Sequence, residues 1–183
     1  MRRIVGIVAV VAPALHLLSD VLEWRLGGFS SAQLWINYAA FLPMPWLLLG
    51  IHAAHDPRPA GSGLAGALIY GAAFVYFQHT TLVAIAEHAP DYETLWARLG
   101  WLYTLHGGLM ILGGTLFSRA VLRAGWLPRH AVFLFQSGLV ANLALALVPA
   151  PAILQTVGST ARNLGVMAIG AAILRGTRPP RAH

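Results

Sequence analysis

The sequence predicts an all-α protein: a polytopic membrane bundle of six transmembrane helices with both termini in the cytoplasm. Three observations carry this. Of the 183 residues, 57% are hydrophobic, and the mean hydropathy is +0.66. Only 10% are Asp, Glu, Lys or Arg, against about 25% in an ordinary soluble domain, too few to solvate the surface of one. The apolar residues also fall into six runs, each near the roughly 17–25 residues a helix needs to cross hydrocarbon. The same composition excludes a disordered chain, and the runs are too long and unbroken for the alternating strands of a barrel.

The first span, about 4–22, follows Arg2-Arg3. A charged start, an apolar run and Ala12-Pro13-Ala14 also fit a short signal peptide, but the run continues to Leu22 and is long enough to span. Gly27-Gly28 and Ser30-Ser31 then turn the chain into a second span, about 33–51. Pro43 and Pro45 are expected to kink or unwind it and to free carbonyls near mid-membrane. The connection His52 to Gly63 holds Asp56-Pro57-Arg58-Pro59 and leads to the third span, about 64–86. Glu87 to Arg98 is the most polar connection. The fourth span, about 99–118, contains Gly107, Gly108, Gly113 and Gly114, and the sixth contains Ala161 and Gly165. Such small residues allow close helix approach. Arg119 to His130 joins the fourth span to the fifth, about 131–149, and Pro149-Ala150-Pro151 leads into the sixth, about 152–174. With no repeat and no long linker, residues 1–183 read as one transmembrane domain.

The arginines orient it. An inner N-terminus puts Arg2, Arg3, Arg58, Arg119, Arg123, Arg129, Arg175, Arg178 and Arg181 inside, and only Arg25 and Arg98 outside. The positive-inside rule then places both ends in the cytoplasm, with the chain multi-pass in a cytoplasmic membrane such as the bacterial inner membrane. The net charge of +6 is thus a topology signal and an affinity for anionic lipid; no nucleic-acid partner is expected. Most of the Trp residues, with Tyr92, fall near the boundaries as an aromatic belt. The chain has no Cys and no Lys. Thiolate chemistry, a Schiff base and a phosphate loop ending in Lys are therefore excluded.

Ionisable groups within spans are the functional candidates. His16, Asp20 and Glu23, at offsets of four and seven, share one helical face. His79 and Glu87 share another, with Gln78 beside His79. Tyr103 and His106 lie in the fourth span; Gln155, Ser159 and Arg162 line one face of the sixth; Tyr38 and Asn142 lie in the second and fifth. At a rise of 1.5 Å per residue, His16 and His79 sit about 12 Å below the outer boundary, His106 about 10 Å and Arg162 about 15 Å. Three imidazoles and a guanidinium at one level predict a polar cavity in the outer half of the bundle. His16, Asp20, Glu23, His79, His106 and Arg162 would be its catalytic groups, and Tyr38, Gln78, Glu87, Tyr103, Asn142, Gln155 and Ser159 its substrate-binding ones. The plainer reading makes each a helix–helix hydrogen-bond partner. His52 and His55 read as interfacial solvation.

A buried His, carboxylate and Arg can move protons and stabilise charge. With no nucleotide motif, the enzyme class expected is isomerisation or cyclisation of a lipophilic small molecule, by acid–base or Lewis-acid chemistry. The alternatives are a proton-coupled transporter or ion-binding protein, and a non-catalytic membrane subunit. Expected partners are the lipophilic substrate and membrane lipids, with assembly into homo-oligomers left open.

Trp96-Ala97-Arg98 followed by Leu105-His106-Gly107-Gly108-Leu109-Met110 resembles the loop-to-helix segment of styrene oxide isomerase-like membrane proteins. The likeness covers about fifteen to twenty of the 183 residues, with an echo at Gly138 and Asn142. That family consists of small helical bundles that hold haem b and use it as a Lewis acid to rearrange epoxides to aldehydes. The resemblance implies haem b, whose expected ligand is missing here unless His106 replaces it; apart from the resemblance, the deep His16, His79 and His106 are the candidates for holding a metal or haem. Gly100 stands where the family has its ligating His, and His106 where it has a pocket Asn. Two spans here precede the matching part.

Overall fold

The computed structural model describes residues 1–54, 61–125, 127–146 and 152–176. His55, Asp56-Pro57-Arg58-Pro59, Trp126, Pro149-Ala150-Pro151, Arg178, Arg181 and His183 lie outside the described residues. The chain is an all-α bundle of eight described helices: α1 (Arg2–Leu26), α2 (Ser31–Phe41), α3 (Met44–Ala53), α4 (Gly61–Ala86), α5 (Tyr92–Leu99), α6 (Trp101–Ala124), α7 (Arg129–Ala146) and α8 (Ala152–Arg175). Among the described residues five segments are long and apolar enough to cross a membrane: α1, α2 with α3, α4, α6 and Ile153–Arg175 of α8. The remaining long helix, α7, carries Arg129 and His130 in its first turn, then Gln136 and Asn142. The protein is thus a multi-pass integral membrane protein. Its outer surface fits that solvent, with Val11, Leu68, Val75, Leu112, Val140 and Val157 exposed along the helices.

Close contacts at small residues set the packing. Gly66 and Gly113 bring the backbones of α4 and α6 together; Gly138 and Gly165 do the same for α7 and α8. Gly6 packs against Gly170 and Leu174, joining α1 to α8. Gly107 and Gly108, expected to share this role, have no neighbour where a Cβ would stand. These contacts, with Gly50 against Val5, put the starts of α1, α4 and α7 and the ends of α3, α6 and α8 at one end. Arg2, Arg3, Arg119, Arg123, Arg129 and Arg175 lie there. Arg25 and Arg98 lie at the other, as do the described carboxylates Asp20, Glu23, Glu87, Asp91 and Glu93.

The second span breaks where Pro43 and Pro45 require it, between Phe41 and Met44. Gln78 reaches across from α4, its Nε2 donating to the Phe41 carbonyl at 2.8 Å and to that of Leu42 at 3.3 Å. Away from water, an unmade backbone bond is expensive, so this amide is structural. That accounts for Gln78, expected among the substrate-binding residues. Gln78→Leu should lower stability by about 1–3 kcal/mol, measured by unfolding in mild detergent, where Gln78→Glu keeps the shape but loses the donor.

The polar connection before the fourth span contains a helix not anticipated from the sequence. Asp91 accepts from the Thr94 N–H at 2.8 Å as the N-cap of α5, and Gly100 (φ 58°) ends it. Tyr92, Leu95, Trp96 and Leu99 form its apolar stripe; Leu95 is buried and Trp96 stacks on Tyr103 at 5.6 Å. The helix covers the carboxylate-bearing end of the bundle. Phe29 donates its N–H to the Pro90 carbonyl at 2.7 Å, and its ring meets Tyr92 at 4.7 Å. The Thr94 N–H holds the Asp91 carboxyl below its ordinary 3.8. A depressed carboxyl stabilises above its unfolded pKa and stops doing so as pH falls through the folded one. Amide protection across residues 92–95 should therefore stay level down to about pH 4 and fall below it, and Asp91→Asn should flatten that profile.

Candidate functional site

Three residues of α1 and two of α8 build the buried polar centre. The spacing of His16, Asp20 and Glu23 turns them to one face of α1, against α8 and α2. His16 is 6% exposed, Asp20 8% and Arg162 3%. His16 Nε2 stands 3.4 Å from Asp20 Oδ1. Its Nδ1 stands 3.1 Å from Arg162 Nη2 and 3.2 Å from Asn163 Nδ2. Both of the latter are donors only, so Nδ1 is the acceptor and the ring proton sits on Nε2, directed at Asp20. The imidazole is neutral and bridges a guanidinium to a carboxylate. With the carboxyl ionised the three groups carry no net charge, which makes their burial tolerable.

Around this bridge several polar atoms are buried with no partner among the described residues: Asp20 Oδ2, Arg162 Nε, Asn163 Oδ1, Asn37 Oδ1 and Gln33 Oε1. Arg162 Nη1 also reaches the Met110 sulfur of α6 at 3.5 Å. The Phe41 ring lies edge-on to His16 at 4.8 Å. Glu23, half-buried one turn beyond Asp20, lies within reach of the Tyr92 hydroxyl. Tyr92 is 40% exposed as a residue, but its hydroxyl is at the buried end. Burial first, then the Glu23 carboxylate, raise that hydroxyl well above its ordinary 10, so it stays a donor. Tyr92, Glu23, Asp20 and His16 thus form a line from the covered end of the bundle to the guanidinium.

The other expected members lie elsewhere. His106 is buried on α6, but its neighbours are Phe77 at 3.9 Å, Tyr103 at 4.7 Å and Tyr76 at 5.4 Å, and Nδ1 is 3.4 Å from the Leu102 carbonyl. Phe41 and Phe77, 5.6 Å apart, stand between it and His16. His79 is exposed on α4, its ring 5.9 Å from Tyr76. The common level inferred from helical rise holds no common direction: these imidazoles point to different neighbours. Glu87 is on the surface, both its carboxylate oxygens accepting from Arg98 Nε at 3.1 and 3.0 Å, an arrangement of small energetic weight in water. Asn142 donates to Ser159 at 3.1 Å between α7 and α8, which makes both interhelical polar contacts. Tyr38 meets Trp35 at 5.9 Å, and Gln155 is half-buried near the start of α8.

Among the described residues no three His, Asp or Glu side chains are grouped to hold a metal. His106 is a single nitrogen ligand with aromatic rings close on its sides, where a flat macrocycle would have to lie. The residues present fit a haem or metal poorly, and no step is derived through one.

Sequence reasoning missed Asn163, Met110, Gln33 and Ser19. Ser19 and Gln33 bond to each other across the α1–α2 turn, at 2.9 and 3.3 Å. Asn163 had a signal: adjacent to Arg162 and four residues beyond Ser159, it shares their face of α8. Met110 had none, since a thioether in a span reads as core.

No family model matches this chain, and neither does any curated protein or any solved structure.

Proposed function

We propose that this chain is a six-span enzyme of the cytoplasmic membrane, with both termini in the cytoplasm, that rearranges a lipophilic small molecule by proton transfer at Asp20 and His16. The carrying observation is the neutral imidazole fixed between Asp20 and Arg162. Asp20 Oδ2 is the unpartnered oxygen that takes a proton from a carbon beside a substrate carbonyl. His16 Nε2 stands 3.4 Å from Oδ1, on the same face of α1 as the carboxylate. Arg162 supplies N–H groups to the oxygen on which negative charge develops. The proton is returned to a different carbon, so substrate and product are isomers and no co-reactant is consumed. The six arginines at one end against two at the other support the orientation, with Asp20 and Glu23 toward the outer side.

Membranes containing the protein, incubated in D2O with a panel of lipophilic enones, should yield products that are isomers of the substrate carrying solvent deuterium. Asp20→Asn should reduce the rate by at least about a hundredfold while preserving the helical spectrum. A rate indifferent to Asp20→Asn, or a panel that stays unreacted, would overturn the reading.

A second reading has its own observation. The line Tyr92–Glu23–Asp20–His16, ending beside a helix broken at Pro43, also describes a proton entry path. Proton uptake by proteoliposomes that is abolished by Glu23→Gln would favour a carrier.

A further inference from the structure

At the arginine-bearing end, a recess of about 420 Å³ is lined by Leu122 and Arg123 of α6 and Arg129 and Phe133 of α7. Its two halves differ in chemistry. Arg123 and Arg129 are exposed at the rim, at the end of one helix and the start of the next. Phe133, one turn further along α7, is 57% exposed, and Leu122 is half-buried beside it. A phenyl ring so exposed on a membrane helix faces acyl chains. Among the described residues every carboxylate lies toward the opposite end of the bundle, so none of them neutralises these two cations.

We propose that this recess is a binding site for one anionic phospholipid, its phosphate between Arg123 and Arg129 and its acyl chain along Phe133 and Leu122. Charge alone would attract a diffuse layer of anionic lipid to any arginine-rich rim. The apolar wall directly below the two guanidiniums converts that attraction into a site. It also decides between a lipid headgroup and free phosphate, since free phosphate gains nothing from Phe133. Zwitterionic lipid carries its own ammonium beside the phosphate and meets two arginines less favourably.

The test is native mass spectrometry of the full chain from nanodiscs holding equal amounts of phosphatidylglycerol and phosphatidylcholine. One phosphatidylglycerol should be retained preferentially. Arg123→Gln with Arg129→Gln should weaken retention roughly thirtyfold, about fivefold for each arginine. Phe133→Ala should weaken it with no change in charge, while Arg2→Gln with Arg3→Gln at the same end should leave it unchanged. Retention of both lipids equally, indifference to Phe133→Ala, or an equal loss on removing Arg2 and Arg3 would each overturn the site in favour of diffuse attraction. Displacement of the lipid by millimolar inorganic phosphate would overturn the choice of ligand. Should the double variant fail to fold, Arg129→Gln alone, at an exposed position, gives the same comparison.

Discussion

Asp20→Ala should destabilise the bundle by about 3–5 kcal/mol, because it leaves the Arg162 guanidinium as a buried charge without compensation. The reverse single change, Arg162→Leu, strands the carboxylate in the same way. The double change Asp20→Ala with Arg162→Leu should recover most of that loss, since a buried ion pair replaced by apolar groups is often neutral or better. A double-mutant cycle measured by unfolding in mild detergent checks this: additive losses would mean that the two charges are not coupled through His16. Activity separates structure from chemistry. If the trio works on a substrate, the stable double variant is inactive; if it only holds α1 to α8, the double variant keeps whatever the protein does.

Gly138→Val is expected to be the other severe substitution. A Cβ at 138 meets the backbone of Arg162 and Gly158, which cannot move aside as a flexible side chain can. The α7–α8 pair must separate, at roughly 3 kcal/mol or more, and Arg162 must shift with it. Gly165→Val meets the Phe135 backbone and should behave alike. Gly107→Ala and Gly108→Ala, where nothing stands nearby, should be neutral or slightly stabilising through helix propensity. Thermal unfolding of the four variants in one detergent provides the comparison. Tolerance of Gly138→Val would mean that α7 and α8 do not pack backbone to backbone.

Helical periodicity made some of the site legible. The offsets of His16, Asp20 and Glu23 put three groups on one stripe, and the stripe is found facing α8. The proline pair in the second span located its break to within a residue or two, because a missing N–H and a ring clash act locally. α5 was not legible, because eight residues with two charges, Glu93 and Arg98, read as loop until Asp91 caps them and Leu95 finds a buried place. His79 and His106 were misplaced for a different reason. Rise per residue gives depth in the membrane but leaves the rotation of each helix about its own axis open, and rotation decides what a side chain faces.

The amino-acid sequence by itself determined that this chain enters a membrane as helices, roughly where its long apolar segments lie, and which end carries the arginines. Those properties follow from transfer free energy and backbone hydrogen bonding, which act on each segment alone. Only the tertiary structure decided that His16 meets Arg162 and Asn163 while His106 turns to Phe77, because glycine contacts between particular helices set their rotations, and no single segment holds that information.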